Sequence, residues 1–393
     1  MARPSNTSVR RQQIVLASIR LLARQGHAGG SMAELAQECG LSQGLLHYHF
    51  SDRSQILAAV LAELERRLLD RVRLLTAGAR DPEEELDAWV QALLSPQSGD
   101  AEAMAAWVAL GTAAAQEPDL RALYRGGLER LVTATGLLCG DRPRGSAEAL
   151  IALVEGSWRV GSLAPGLIPE GGPLAAARLM LGLSPSTEDP TVRQLRAIRE
   201  LAPLELPEAT WAELSQGWTS AGRHYHSLEH LLALSLAWLD VAEEGRWNDA
   251  AQVWLALLFH DAVYVPGAPD NEERSAQLLL KHRPEALRAA ELVRLTAAHG
   301  SLDRRPLDED ARLFLDCDTA ILGAPADQYR RYAAQVAAEW APVVDADGWR
   351  QGRTAFLNGL LAQKRIFLSD RFHDLLEAQA RWNLAAELAG ATS

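Results

Sequence analysis

Residues 31–50, SMAELAQECGLSQGLLHYHF, constrain the fold more tightly than any other stretch of this 393-residue chain. Ser31 followed three residues later by Glu34 forms a capping box and starts a short helix, with Ala33, Leu35 and Ala36 on its apolar side. Gly40 supplies the turn, because only glycine enters left-handed backbone conformations without steric cost. Ser42 then caps a second helix that carries Leu45, Leu46 and Tyr48. Two short helices joined by a tight glycine turn form a helix-turn-helix, whose second helix enters a DNA major groove. A hairpin serving only as core would not carry the polar and small set Gln43, Gly44, His47 and His49 around Tyr48.

Charge supports that assignment once it is divided. The whole chain carries −12, but residues 1–54 hold six arginines against Glu34, Glu38 and Asp52, giving +3 and leaving −15 for the other 339 residues. A basic head on an acidic body confines phosphate attraction to the head. An apolar fraction of 48% against 23% charged excludes disorder as the default, and the length accommodates two or three domains. No apolar run approaches the ~20 residues of a membrane span, and no apolar segment follows the first arginines, so neither a membrane protein nor a secretory signal is expected. Cys39, Cys139 and Cys317 lie far apart, as reduced thiols of a cytoplasmic protein would.

In chain order, residues 1–9 read as an arm whose Arg3, with Arg10 and Arg11 just beyond, can touch phosphate or a minor groove. Residues 11–25 form a helix ended by Gly26, Gly29 and Gly30. Asp52 and Gln55 cap a long helix through Leu57, Val60, Leu61, Leu64 and Leu68. The glycine turn, Ser42 and the HYHF ending at residues 47–50 resemble the DNA-binding domain of the TetR family of transcriptional regulators. That resemblance implies a dimer on a palindromic operator, double-stranded DNA as partner, and Ser31, Ser42, Gln43, Gly44, His47, Tyr48, His49 and Arg53 as candidate DNA contacts. Helices expected at 82–94, 101–116, 118–138, 147–160 and 173–183, divided by turns such as Ser95-Pro96, resemble the same family's ligand-binding and dimerisation bundle. Trp107, Trp158 and residues 159–162 are candidates to line a small-molecule effector pocket. The expected organisation is a head over 1–56, a bundle over 57–190 ending in a Pro-flanked linker at 184–190, and a further domain over 200–393.

Seven of the ten histidines lie in that last domain. His226 and His230 are four apart at the start of an apolar helix, hence expected on one face. A continuous apolar run over 253–259 ends abruptly in His260-Asp261. A pair so placed is costly to bury unless something neutralises it, as a cation does. His299 ends another helix, and Asp316 and Asp318 interrupt an apolar one.

The ordered stretches RHYHSLEH, LFHDAVY, NEERSA, TAAH and LFLDCDTAILG resemble a group of small HD-superfamily metal-dependent phosphohydrolases over residues 207–385. The resemblance implies a metal set of His226, His260, Asp261 and Asp318, with His230, His299 and Asp316 as extensions or reserves. It implies Asp261, Arg223 and Glu272 as catalytic candidates, with Arg223 meeting phosphate and Asp261 orienting the attacking water. Mn²⁺, Fe²⁺, Co²⁺, Ni²⁺ or Zn²⁺ suits such a nitrogen and oxygen set better than Mg²⁺. The fold class expected is thus all-α throughout. The function expected is a TetR-type regulator carrying an HD domain that hydrolyses or senses a phosphorylated small molecule or nucleotide. The alternative is primarily a phosphohydrolase whose head serves for dimerisation or localisation.

Overall fold

The computed structural model describes residues 7–26, 31–94, 100–164, 166–185, 187–298 and 306–391. Arg3, Gly29, Gly30, the Ser95-Pro96 turn, residue 186 of the linker and His299 lie outside the described residues. Among the described residues all regular structure is helical, in agreement with the all-α expectation. The chain divides into two compact units, Ser5–Glu188 and Asp189–Ser393.

The first unit begins with α1 (Thr7–Gln25), α2 (Met32–Glu38) and α3 (Gln43–His49). It continues through α4 (Arg53–Thr76), α5 (Pro82–Leu94), α6 (Ala101–Ala114), α7 (Pro118–Cys139), α8 (Ser146–Leu163) and α9 (Gly172–Leu181). Head and bundle share one apolar core, which runs from Ile14, Leu46 and Phe50 through Val60 and Leu64 to Trp107, Leu110 and Leu150. The long α4 belongs to both parts. Its Ile56 and Leu57 join the head core, while Leu64 and Leu68 join the bundle.

The second unit starts earlier than expected, with α10 (Pro190–Glu200) rather than at residue 200. Then come α11 (Glu208–Trp218), α12 (Leu228–Glu243), α13 (Ala250–Phe259), α14 (Asn271–His282) and α15 (Leu287–Leu295). After α16 (Glu309–Thr319) follow α17 (Ala326–Trp340), α18 (Ala346–Ala362) and α19 (Asp370–Ala391). Helix α13 is the axis of this unit: Val253 to Phe259 are all buried, which explains a run with no polar face. Helices α12, α14, α15 and α16 pack around it. The helix breaks at its end, so His260 and Asp261 emerge at the junction with a loop.

Candidate functional site

The head is assembled from local contacts. Glu34 N–H donates to Ser31 Oγ at 3.2 Å and Ser31 N–H donates to Glu34 Oε2 at 3.1 Å, completing the capping box. Gly40 adopts φ +64°, and the turn closes with Leu41 N–H donating to Ala36 O at 2.8 Å. Ser42 Oγ accepts from Leu45 N–H at 3.2 Å. Both hydroxyl oxygens thus accept from the backbone, in keeping with their role as caps, and the Ser31 hydroxyl also donates to Glu34 Oε2 at 2.6 Å.

On α3, Leu46 faces the core while Gln43, Gly44, His47 and Tyr48 face solvent, with Tyr48 76% exposed. Nothing lies within 4 Å of where a Cβ on Gly44 would sit, so the fold itself makes no steric demand for glycine there. His49 departs from expectation. It is buried, its carbonyl accepts from Arg11, and the Arg11 guanidinium sits 4.0 Å from the centre of the Phe50 ring. Burial, with the nearby Arg11 and Arg10, holds the His49 imidazole below its ordinary pKa. The His49 carbonyl ties the end of α3 to α1. Arg53 also departs from the DNA set, since its guanidinium reaches Glu117 at 3.4 Å.

In the bundle, Trp107 and Trp158 line a narrow cleft with Leu64, Leu68, Met104 and Leu131, next to the buried ion pair of Arg67 with Asp100. The other pocket candidates differ: Arg159, Gly161 and Ser162 are exposed and do not line this cleft.

The second unit gathers the histidines and aspartates that the sequence singled out. His230 Nε2 stands 3.2 Å from Asp318 Oδ1, and His260 Nε2 stands 3.4 Å from the same oxygen. His260 Nε2 is also 3.1 Å from Asp261 Oδ2, which lies 3.9 Å from His226 Nε2. Both the His230 and His260 Nε2 atoms are buried and make no hydrogen bond of normal geometry. His230, His260 and Asp261 each offer a ligand atom within 4.8 Å of the others'. Buried imidazole nitrogens converging on carboxylates without satisfied hydrogen bonds are what a divalent cation would complete.

Burial opposes charge on His260, but Asp261 and Asp318 outweigh it and raise its pKa well above the ordinary value. Burial likewise opposes the Asp261 carboxylate, yet His260 and His226 lower its pKa. His230, dominated by burial, is lowered.

Close packing fixes the floor of the cluster. A Cβ on Gly217 would lie 2.5 Å from Ala262 O, so only glycine lets α11 approach this loop. That approach brings Trp218 to ring distances of 5.5 Å from His260 and 6.3 Å from His230. Trp218 Nε1–H donates to Leu258 O at 3.0 Å.

The structure gives several of these residues other roles than expected. His226 lies before α12, which starts at Leu228, so it does not share a helical face with His230. Glu339 of α17, which sequence reasoning missed, holds it instead. His226 Nδ1–H donates to Glu339 Oε2 at 2.6 Å, while Oε1 accepts the backbone N–H groups of His224, Tyr225 and His226 at 2.7, 2.7 and 2.9 Å. Burial opposes this carboxylate, but His226 and the backbone donors hold its pKa at about 2.

Arg223, expected to meet phosphate, turns its guanidinium inward. It donates to Ser220 Oγ and to the carbonyls of His226, Asp261 and Ala262 at 2.8–3.2 Å, and lies over the Trp218 and Tyr264 rings. Asp316 points away from the cluster and accepts the N–H groups of Leu368 and Ser369, both at 2.7 Å. Residues two apart on a helix lie ~200° apart around its axis, so Asp316 and Asp318 cannot serve one site. Glu272, in the first turn of α14, has no hydrogen bond or ion pair to the cluster among the described residues.

Comparison with known proteins places the first unit. A model of the family described as bacterial regulatory proteins, tetR family, matches residues 14–60. The HTH-type transcriptional regulator BetI of Stenotrophomonas maltophilia (strain R551-3) is 30% identical over 164 residues, covering 40% of this chain and 84% of that relative. BetI of Burkholderia mallei (strain NCTC 10229) is 31% identical over 165 residues, covering 40% and 83%. A solved transcriptional regulator from Rhodococcus sp. Rha1 aligns at 25% identity and TM-score 0.40, covering 44% of this chain and 94% of that one.

Proposed function

The chain belongs, through its first unit, to the TetR family of bacterial regulatory proteins, and from that premise we propose a sequence-specific operator-binding regulator, a repressor, that carries an HD-type metal-dependent domain. The DNA reading rests on the solvent face of a firmly capped α3, where Gln43, Gly44, His47 and Tyr48 reach outward. Homodimerisation would use exposed apolar side chains such as Leu137, Leu163 and Leu179 of the bundle. A small-molecule effector would bind by widening the cleft beside Trp107 and Trp158.

For the second unit, one observation carries the reading: the unsatisfied Nε2 atoms of His230 and His260 face Asp261 and Asp318. His226, His230, His260, Asp261 and Asp318 would hold a divalent transition metal such as Mn²⁺, Fe²⁺, Co²⁺, Ni²⁺ or Zn²⁺. When bound, such an ion supplies Lewis-acid activation of water and of a phosphoryl oxygen. The protein's part is positional. His260 Nδ1–H donates to Leu257 O at 2.9 Å, which leaves Nε2 as the donor atom. Asp261, at the edge of the cluster, would orient the attacking water by accepting its hydrogen bond, and Arg223 ties the two ligand-bearing segments together through their carbonyls. Hydrolysis or sensing of a phosphorylated small molecule or nucleotide fits this arrangement. The same domain can instead be the principal activity, with the head serving for localisation.

Selection from random double-stranded DNA with the full chain should return a palindrome. Tyr48→Ala should weaken binding to it by about 1–3 kcal/mol. Metal analysis of the purified protein should find a transition metal that is lost in His260→Ala. A sequence-blind selection removes the regulator reading; metal content unchanged in His260→Ala removes the metal reading.

A further inference from the structure

We propose that Glu339 is a positioning residue for the cluster, seating His226 so that its Nε2 faces Asp261 and stays open to a divalent cation. The inference rests on the metal reading above. Glu339 lies on α17, 113 residues from His226, and its side chain is fully buried. A buried carboxylate is costly unless its lone pairs are filled, and here five donors fill them. Oε1 gathers three successive backbone N–H groups from residues 224–226. Oε2 takes His226 Nδ1–H at 2.6 Å and the Tyr264 hydroxyl at 3.1 Å.

The two oxygens therefore do different things. Oε1 closes the turn that delivers the chain into α12. Oε2 fixes the imidazole: with Nδ1 bonded to the carboxylate, the ring's other nitrogen is turned to the cluster, 3.9 Å from Asp261 Oδ2. Tyr264 braces the same ring from its face, with ring centroids 4.1 Å apart in a stacked arrangement. A carboxylate behind a metal-facing imidazole orients the ring and raises its basicity as a ligand. His226 needs that help more than His230 does, because it lies outside the helix and no helical backbone sets its direction.

Glu339→Gln separates the two oxygens. The amide oxygen still accepts the three backbone N–H groups, whereas the amide nitrogen cannot accept from His226. The test titrates Co²⁺ into the full chain, following the visible absorption and competition with a chelator. Four proteins are compared: wild type, E339Q, H226A and the double variant. E339Q should bind Co²⁺ about tenfold to a hundredfold more weakly with an altered visible spectrum. H226A should lose at least as much, and the double variant should match H226A, because Glu339 acts through His226.

Wild-type affinity in E339Q overturns the inference, and so do losses that multiply in the double variant. If H226A weakens Co²⁺ binding while E339Q does not, this inference alone falls. If H226A equals wild type, including where neither binds, the role of His226 in the metal reading falls with it. Should E339Q fail to fold, E339D keeps the charge but withdraws it by one methylene. Its affinity should lie between wild type and H226A, and wild-type affinity there is equally fatal.

Discussion

The DNA-reading head and the histidine–aspartate cluster both present polar side chains from helices and the turns beside them, but their supports reach over very different distances. In the head, Ser31 is held by Glu34 three residues away, and Ser42 caps the helix that follows it. In the cluster, His226 is held by Glu339 across 113 residues, and Arg223 reaches carbonyls 38 and 39 residues away. The reading face is also exposed, so water satisfies Gln43, His47 and Tyr48 when no ligand is present. The cluster is buried, so each of its groups needs a protein partner or a cation. A site of the first kind tolerates changes in its functional side chains. A site of the second kind is coupled to its fold.

The largest test of that contrast is Arg223→Ala. It removes the donor shared by the carbonyls of His226, Asp261 and Ala262, and an acceptor left dry costs roughly 1–3 kcal/mol. Loss of more than about 3 kcal/mol is expected from the second unit by that reasoning. It should appear as faster amide exchange in α12 and α13 together with weaker metal binding. If only a phosphorylated ligand's affinity changes, Arg223 contacts substrate and the contrast is broken.

Ser31→Ala is the head's counterpart. Losing one cap should lower local stability by about 1 kcal/mol. The loss should read out as faster exchange of α2 amides, with operator affinity falling no more than that local loss requires. A collapse of the whole head would show that its support is not local.

The smallest effect sharpens the comparison. Gly44→Ala should leave thermal stability unchanged or raise it by up to ~1 kcal/mol, since alanine is the better helix former and nothing crowds the position. Operator affinity should nevertheless fall, because the space at Gly44 is available to a DNA backbone rather than filled by the protein. Unchanged affinity would move the reading face away from the start of α3.

The helix-turn-helix was legible in residues 31–50 because its signals are local: a capping box, a glycine at positive φ and a second cap act within a few residues. The helix over residues 82–94 was legible for the same reason, with Pro82 at its start. The apolar run ending in His260-Asp261 likewise announces a polar pair at the end of a buried helix. The burial of His49 is not legible in sequence, because an aromatic and basic pattern cannot tell which side of a short helix meets α1; only packing of Arg11 on Phe50 settles that. Asp318 is preferred to Asp316 in sequence only through the family resemblance, and the rotation of α16 against α12 and α13 is what puts the two on opposite sides. Glu339 carried no signal at all, since a lone glutamate in an amphipathic helix usually faces water. Local backbone chemistry thus belongs to the sequence, whereas the partners of buried charges are chosen by helices that meet only after the chain has folded, through desolvation that no linear pattern records.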